Sequence, residues 1–90
     1  MLEKLLKKVP ELYSQDGKGK NALVYLVLKG INGWKWYITE YSPKDNLAFG
    51  YVQGYADEWG YIDIKEIERN IILGYINIQS QDIKKLKEYI

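Results

Sequence analysis

Apolar positions change their spacing along the chain, and each change marks an element. Leu2, Leu5, Leu6 and Val9 recur at helical spacing with Lys4, Lys7 and Lys8 on the remaining arc, which predicts an amphipathic N-terminal helix. Pro10 ends it, because the residue before a proline avoids the α region. Leu12 and Tyr13 read as anchors for the next segment, and residues 14–21 as a polar loop with two glycines. Ala22 to Leu28 is a continuous apolar run flanked by turn residues, which predicts a strand buried on both faces. Gly30-Ile31-Asn32-Gly33 predicts a hairpin turn. Alternation then takes over: from Trp34 to Tyr41 the pleat places Trp34, Trp36 and Ile38 on one face and Lys35, Tyr37, Thr39 and Tyr41 on the other.

Ser42 to Asn46 is a turn, and Leu47 to Tyr55 a third strand with Phe49 and Tyr51 on one side and Gly50, Val52 and Gly54 on the other. Glycine weakens a strand interior. Gly50 and Gly54 therefore mark either a bulge or the space required by the Trp34 and Trp36 rings. Tyr61 and Ile62 lead into Asp63-Ile64-Lys65-Glu66, a capping box, so a short helix runs from Ile64 to about Asn70 and buries Ile64, Ile67 and Ile71. Tyr75 to Ile78 alternates as a short strand, and Ser80 caps a last helix through Ile83, Leu86, Tyr89 and Ile90. Short connections imply antiparallel pairing. The fold class is α+β: one small domain over residues 1–90, an antiparallel sheet of about four strands, with N-terminal, middle and C-terminal helices packed against it.

Composition narrows the function classes. Ninety residues leave room for one core, and 47% hydrophobic content is enough to build it. Thirteen Lys plus Arg against twelve Asp plus Glu give a net charge of +1, too balanced for a nucleic-acid binder working by phosphate neutralisation. The chain has neither cysteine nor histidine, which removes disulfides, the ordinary zinc ligands and the usual base for a Ser or Cys nucleophile. No cofactor and no metal site are expected. The segment from Met1 to Pro10 has no long apolar run, so neither a signal peptide nor a membrane span is predicted and a cytoplasmic location is the default expectation.

The strings PELYSQD at 10–16, WKWYITEY at 34–41, FGYVQG at 49–54 and EWGYIDIKEI at 58–67 occur in this order and at similar spacing in one family. In these the chain resembles the domain of unknown function 2958 family, over roughly residues 9–78. Its members are small proteins commonly encoded on conjugative plasmids, integrated elements and phages. The resemblance implies a mobile-element setting and no particular activity. One departure is visible: members usually carry an acidic-basic-acidic cluster after an isoleucine near the end, where this chain reads Tyr75-Ile76-Asn77-Ile78-Gln79-Ser80.

Aromatic residues are the richest candidate chemistry, with three Trp, nine Tyr and one Phe. Amphipathic rings serve interface hot spots and base-stacking platforms, and they also fill cores. Trp34, Trp36 and Phe49 are assigned to the core. Tyr37, Tyr41, Tyr51, Tyr55 and Tyr61 are candidates for a binding surface. Glu40 and Glu58 are candidates for ligand or partner recognition, and structural hydrogen bonding to tyrosine hydroxyls or loop amides is the simpler role. Gly17-Lys18-Gly19-Lys20 lacks a phosphate-loop pattern and reads as a surface loop.

These features lead to the expectation of a non-enzymatic binding protein of a mobile element, a counter-defence factor that inhibits a host protein or sequesters a small nucleotide signal. Its partner would be a host or element-encoded protein, or a nucleotide held with Lys18, Lys20 or Arg69, and self-association is left open. Two alternatives stand beside it: a carboxylate-dependent hydrolase or transferase using Glu40 and Glu58, and a passive subunit of a plasmid-maintenance complex.

Overall fold

Strand formation follows the β-branched and aromatic runs, and the turns follow the glycines. A computed structural model describes residues 2–90. Its elements are α1 (Glu3–Leu6), β1 (Leu23–Val24), β2 (Leu26–Gly30), β3 (Lys35–Ser42), β4 (Leu47–Gln53), β5 (Asp57–Asp63), α2 (Ile64–Ile72), β6 (Ile76–Ser80) and β7 (Lys84–Lys85). Single 3₁₀ turns occupy Gly19–Asn21 and Leu86–Glu88. Five strands form an antiparallel sheet in the order β5-β4-β3-β2-β6, while β1 and β7 pair separately. Gly33 has a φ of 90°, which closes the β2–β3 hairpin in a conformation that suits glycine.

Each face of the sheet has its own core. On the helix face, Leu26, Leu28, Ile38 and Ile62 pack against Ile64 and Ile67 of α2 and against Leu2, Leu6 and Val9. The opposite face, here the aromatic face, holds a smaller cluster of Val24, Val27, Tyr37 and Leu86, flanked by Tyr51 and Tyr89. Asp63 caps α2 by accepting from the amides of Lys65 at 3.0 Å and Glu66 at 3.3 Å. No helix among the described residues is long and apolar enough to cross a membrane.

The α+β antiparallel architecture agrees with the expectation, and several finer points are corrected. The main sheet has five strands, because residues 57–63 pair with β4 along their whole length. The four-strand expectation did not count this segment, yet Trp59 and Tyr61 alternate as an edge strand requires, and Asp57, Glu58 and Asp63 guard that edge. The expected C-terminal helix is absent. Ser80 ends β6, its hydroxyl lies 3.1 Å from that of Tyr89, and residues 84–85 extend to pair with β1. Leu86 thereby plugs the aromatic face, and its amide donates to the Ala22 carbonyl at 2.9 Å. A ten-residue amphipathic segment is marginal as a free helix, so burial of Leu86 directly after the extended residues 84–85 outweighs helical propensity. The predicted strand from Ala22 to Leu28 is broken at Tyr25, which frees Leu23 and Val24 for β7. The N-terminal helix is a single turn.

Candidate functional site

Thr39 is where β3 departs from strict alternation. Ile38 pairs with Gly50 and Glu40 with Phe49, which leaves Thr39 as an extra residue in the strand. Such a bulge reverses the pleat beyond it. Tyr37 and Glu40 therefore share the aromatic face, whereas Tyr41 joins Ile38 in the core beneath α2. Sequence alternation had grouped Tyr37 with Tyr41. The bulge separates them. Both of its suggested meanings for the glycines hold: a Cβ on Gly50 would lie 1.9 Å from the Tyr37 carbonyl oxygen at the bulge, and one on Gly54 would lie 2.6 Å from the Trp34 ring.

The bulge aims Glu40 at the loop that follows α1. Its side chain, only 4% exposed, accepts the Tyr13 amide on Oε1 at 2.7 Å and the Gln15 amide on Oε2 at 2.9 Å. Among the described residues no lysine or arginine is ion-paired with it. Gln15 secures the other side of the loop. Its Nε2 donates to the carbonyls of Leu23 and Thr39, each at 2.8 Å, and its Oε1 accepts the Leu23 amide at 2.7 Å. This primary amide replaces a missing stretch of peptide between β1 and β3. The anchor of the segment is thus Gln15, while Leu12 is half-buried and Tyr13 is exposed, correcting their expected roles.

Tyr13 adopts a φ of 72°, an uncommon backbone state for a bulky residue. That turn sends its phenol outward to the phenol of Tyr61, with the oxygens 2.7 Å apart. Beneath this contact runs a row of rings. Tyr61 stands against Phe49 at 5.3 Å and 70°, Phe49 lies parallel to Trp59 at 5.9 Å and 9°, and Trp59 meets Tyr51 at 5.4 Å and 65°. Tyr51 then reaches Tyr37, and Tyr37 reaches Tyr89. Between the ring row and the loop lies a pocket of about 400 Å³, with Tyr13, Phe49, Trp59 and Tyr61 in its walls and Glu40 and Asp16 in its lining. Neither Lys18 nor Lys20 lines it. Gly17 and Gly19, at φ values of 80° and 53°, let the loop curl over its rim.

Two ionisation shifts describe this face. The hydrogen bond shared with the Tyr13 phenol raises the Tyr61 phenol above its ordinary range, with burial, the charge of the Tyr13 phenol and the negative charge of Glu40 adding to it. Burial raises Tyr37 as well, helped by Asp57, Tyr51 and Tyr89.

The expected site residues divide into groups. Glu40 and Tyr61 line the pocket, and Tyr51 continues its ring row half-buried. Tyr37 and Tyr41, 2% and 4% exposed, belong to the two cores. Tyr55, 99% exposed, stands in the β4–β5 turn edge-on to Trp34 and outside the pocket. Glu58 pairs with Val52, three positions from the Phe49 that faces Glu40, so the two carboxylates occupy opposite faces of the sheet. They do not meet. Glu40 takes the simpler role foreseen for it, binding loop amides. Phe49, assigned to the core, is instead a wall of the pocket, and Tyr13, Asp16 and Trp59 join it unforeseen. The signal for Trp59 was its two-residue spacing from Tyr61, the mark of one strand face.

A wider hollow of about 580 Å³ lies on the helix face between α2 and Trp34, Trp36 and Tyr75. Its acidic members Asp63 and Glu66 are exposed, and Asp63 is occupied in capping α2. Among the described residues no group of three or more carboxylates is placed to hold a metal ion. The chain matches no family model, no curated protein and no solved structure. The mobile-element setting rests on the residue strings alone.

Proposed function

We propose that this chain is a non-enzymatic binding protein that grips a partner protein on its aromatic face, at the pocket between the loop of residues 12–19 and the rings of β4 and β5. The observation that carries the reading is the pocket's composition: four rings converge at an open rim, and Glu40, the buried carboxylate in its lining, is already held by two amides. Rigid aromatic anchors with few rotatable bonds are what partner-binding hot spots are made of. A carboxylate pair for acid–base work is not assembled here, since Glu40 and Glu58 lie on opposite faces. Lys18 and Lys20 stay outside the lining and Arg69 rides on α2 across the sheet, so the protein partner is favoured over a phosphate-bearing nucleotide. Combined with the family resemblance, the reading is a mobile-element factor that occupies a host protein and thereby blocks it.

Co-purification from host cells tests this with three proteins: the natural sequence, Trp59→Ala on the aromatic face, and Leu73→Ala at the exposed end of α2. The expected result is one protein retained by the natural sequence and by Leu73→Ala, with Trp59→Ala weakening the complex by about thirtyfold or more. Loss with Leu73→Ala and retention with Trp59→Ala would place the contact on the other face and overturn the proposal.

A further inference from the structure

Glu40 places a buried carboxylate against two amides but against no cation among the described residues. A carboxylate removed from water normally keeps a cation or a metal for company, because amide dipoles offset only part of its lost hydration. Here the side chain is 4% exposed, receives two backbone amides, and has no lysine or arginine partner among the described residues. It nevertheless lines an open pocket. Asp16 adds a second carboxylate to the same lining, and no basic side chain contributes to it.

The remaining walls are aromatic. Phe49 and Tyr61 meet at 70° and so form a corner, with Trp59 parallel to Phe49 beside them and Tyr13 held to Tyr61 through the phenols. Ring faces carry the negative part of the π quadrupole and attract ammonium and guanidinium groups. The same face already uses this attraction once, where the Lys84 ammonium lies 5.4 Å from the centroid of the Tyr89 ring. Rings plus two carboxylates make a poor home for an anion and a good one for an organic cation. A bare metal ion would want several charged oxygen ligands, and no group of three or more carboxylates is placed to hold one among the described residues.

We infer that the pocket receives the basic side chain of a lysine or arginine from the partner protein, with the cationic head between the rings and Glu40 and the aliphatic stem against Phe49 and Trp59. This rests on the reading of the aromatic face as the partner surface. A pocket of about 400 Å³ accommodates a whole basic side chain with part of its backbone. The tyrosine phenols that meet at the rim offer hydrogen-bond acceptors to the donor groups of the head.

Titration of the intact chain with small probes, followed by Trp fluorescence and by NMR shifts of Trp59 and Tyr61, tests the assignment without the partner. The probes are Nα-acetyl-lysine amide, Nα-acetyl-arginine amide, choline, and the uncharged carbon isostere of choline in which a tert-butyl group replaces the trimethylammonium. A basic amino-acid derivative is expected to bind and to perturb both residues, and choline is expected to bind at least about tenfold more tightly than its isostere. Asp16→Asn, a surface change whose side chain makes no hydrogen bond among the described residues, is expected to weaken the cations a few-fold and leave the isostere unchanged. Equal binding of choline and its isostere would reduce the pocket to a plain apolar hollow and overturn the inference. If no cation binds while Trp59→Ala still releases the partner, the cation assignment falls and the aromatic surface stands. If choline binds but neither amino-acid derivative does, the pocket serves a free quaternary amine and the partner side chain is overturned.

Discussion

Gly50 and Gly60 pair across β4 and β5, Gly54 lies in the turn between those strands, and the structure assigns the three glycines different responses to a methyl group. At Gly50 an added Cβ would lie 1.9 Å from the Tyr37 carbonyl oxygen and 3.1 Å from the Ile38 Cα. Both are backbone atoms in the most buried stretch of β3, so relief requires the strand to move by roughly 1 Å at its bulge. Overpacking of this kind costs about 1–3 kcal/mol when side chains can yield, so Gly50→Ala should cost about 3 kcal/mol or more. Against a total stability on the order of 5–13 kcal/mol that is a large fraction. In a domain of this size it should lower the melting temperature by about 12 °C or more. At Gly54 the obstacle is the Trp34 ring at 2.6 Å, a half-buried side chain that can swing away, and Gly54→Ala should cost about 1 kcal/mol. At Gly60 nothing lies within 4 Å of the new atom and φ is ordinary, so Gly60→Ala should stabilise by about 0.4–1 kcal/mol through the unfolded state. Urea denaturation of the three variants, with m-values compared, measures all three differences. A Gly50→Ala protein within about 0.5 kcal/mol of the natural one, or a Gly54→Ala protein less stable than it, would refute the bulge as the reason for glycine.

Two further outcomes follow from the same faces. Gln15→Ala leaves the amide and carbonyl of Leu23 and the carbonyl of Thr39 without their side-chain partner, and should cost about 2–4 kcal/mol by urea denaturation, with early loss of hydrogen-exchange protection at the Leu23 amide; an unchanged amide would remove Gln15 as the clamp. Tyr37 keeps its proton in the folded chain at pH values where the unfolded phenol, with a pKa of about 10, has lost it, so stability should hold below pH 10 and fall as pH rises through the folded pKa. Tyr37→Phe should give up about 1 kcal/mol at neutral pH, with the bond to Gln53 at 2.9 Å, and flatten the alkaline decline to what Tyr41 and Tyr61 sustain; an equally steep decline would contradict the assignment.

Legibility in the sequence tracked whether a residue's environment was local. Asp63 caps α2, and Ile64 and Ile67 face the core as their spacing foretold, because a cap and a helical stripe depend on near neighbours. Gly50 in β4 and Gly54 just past its end also announced themselves, since glycine in or beside a strand asks for a close approach. Thr39 announced nothing: any β-branched residue suits a strand, and only the pairing with β4 makes it surplus. From that one position come the separation of Tyr37 from Tyr41, the aim of Glu40 and half of the pocket. The C-terminal segment failed for a related reason. Leu86, Tyr89 and Ile90 do repeat at helical spacing, but an uncovered sheet face and two unpaired residues of β1 lay too far away in sequence to be seen.

The bulge couples stability to binding more tightly at some residues than at others. Without the extra residue, Glu40 would point beneath α2 among isoleucines and leucines, and Tyr41 would face the loop. With it, the carboxylate meets two amides that a turn of residues 13–15 would otherwise leave without partners, and the loop is held over the rings as a consequence. Gly50, Gln15 and Glu40 therefore act on the pocket and on the fold at once, and changes at any of them cannot separate the two. Trp59 and Asp16 differ, because each reaches the pocket from an exposed position and anchors no buried strand. A surface evolved only to complete a core would not need an exposed tryptophan on its edge strand beside a buried carboxylate that has no cationic partner among the described residues; a surface that closes around a partner's basic side chain would need both.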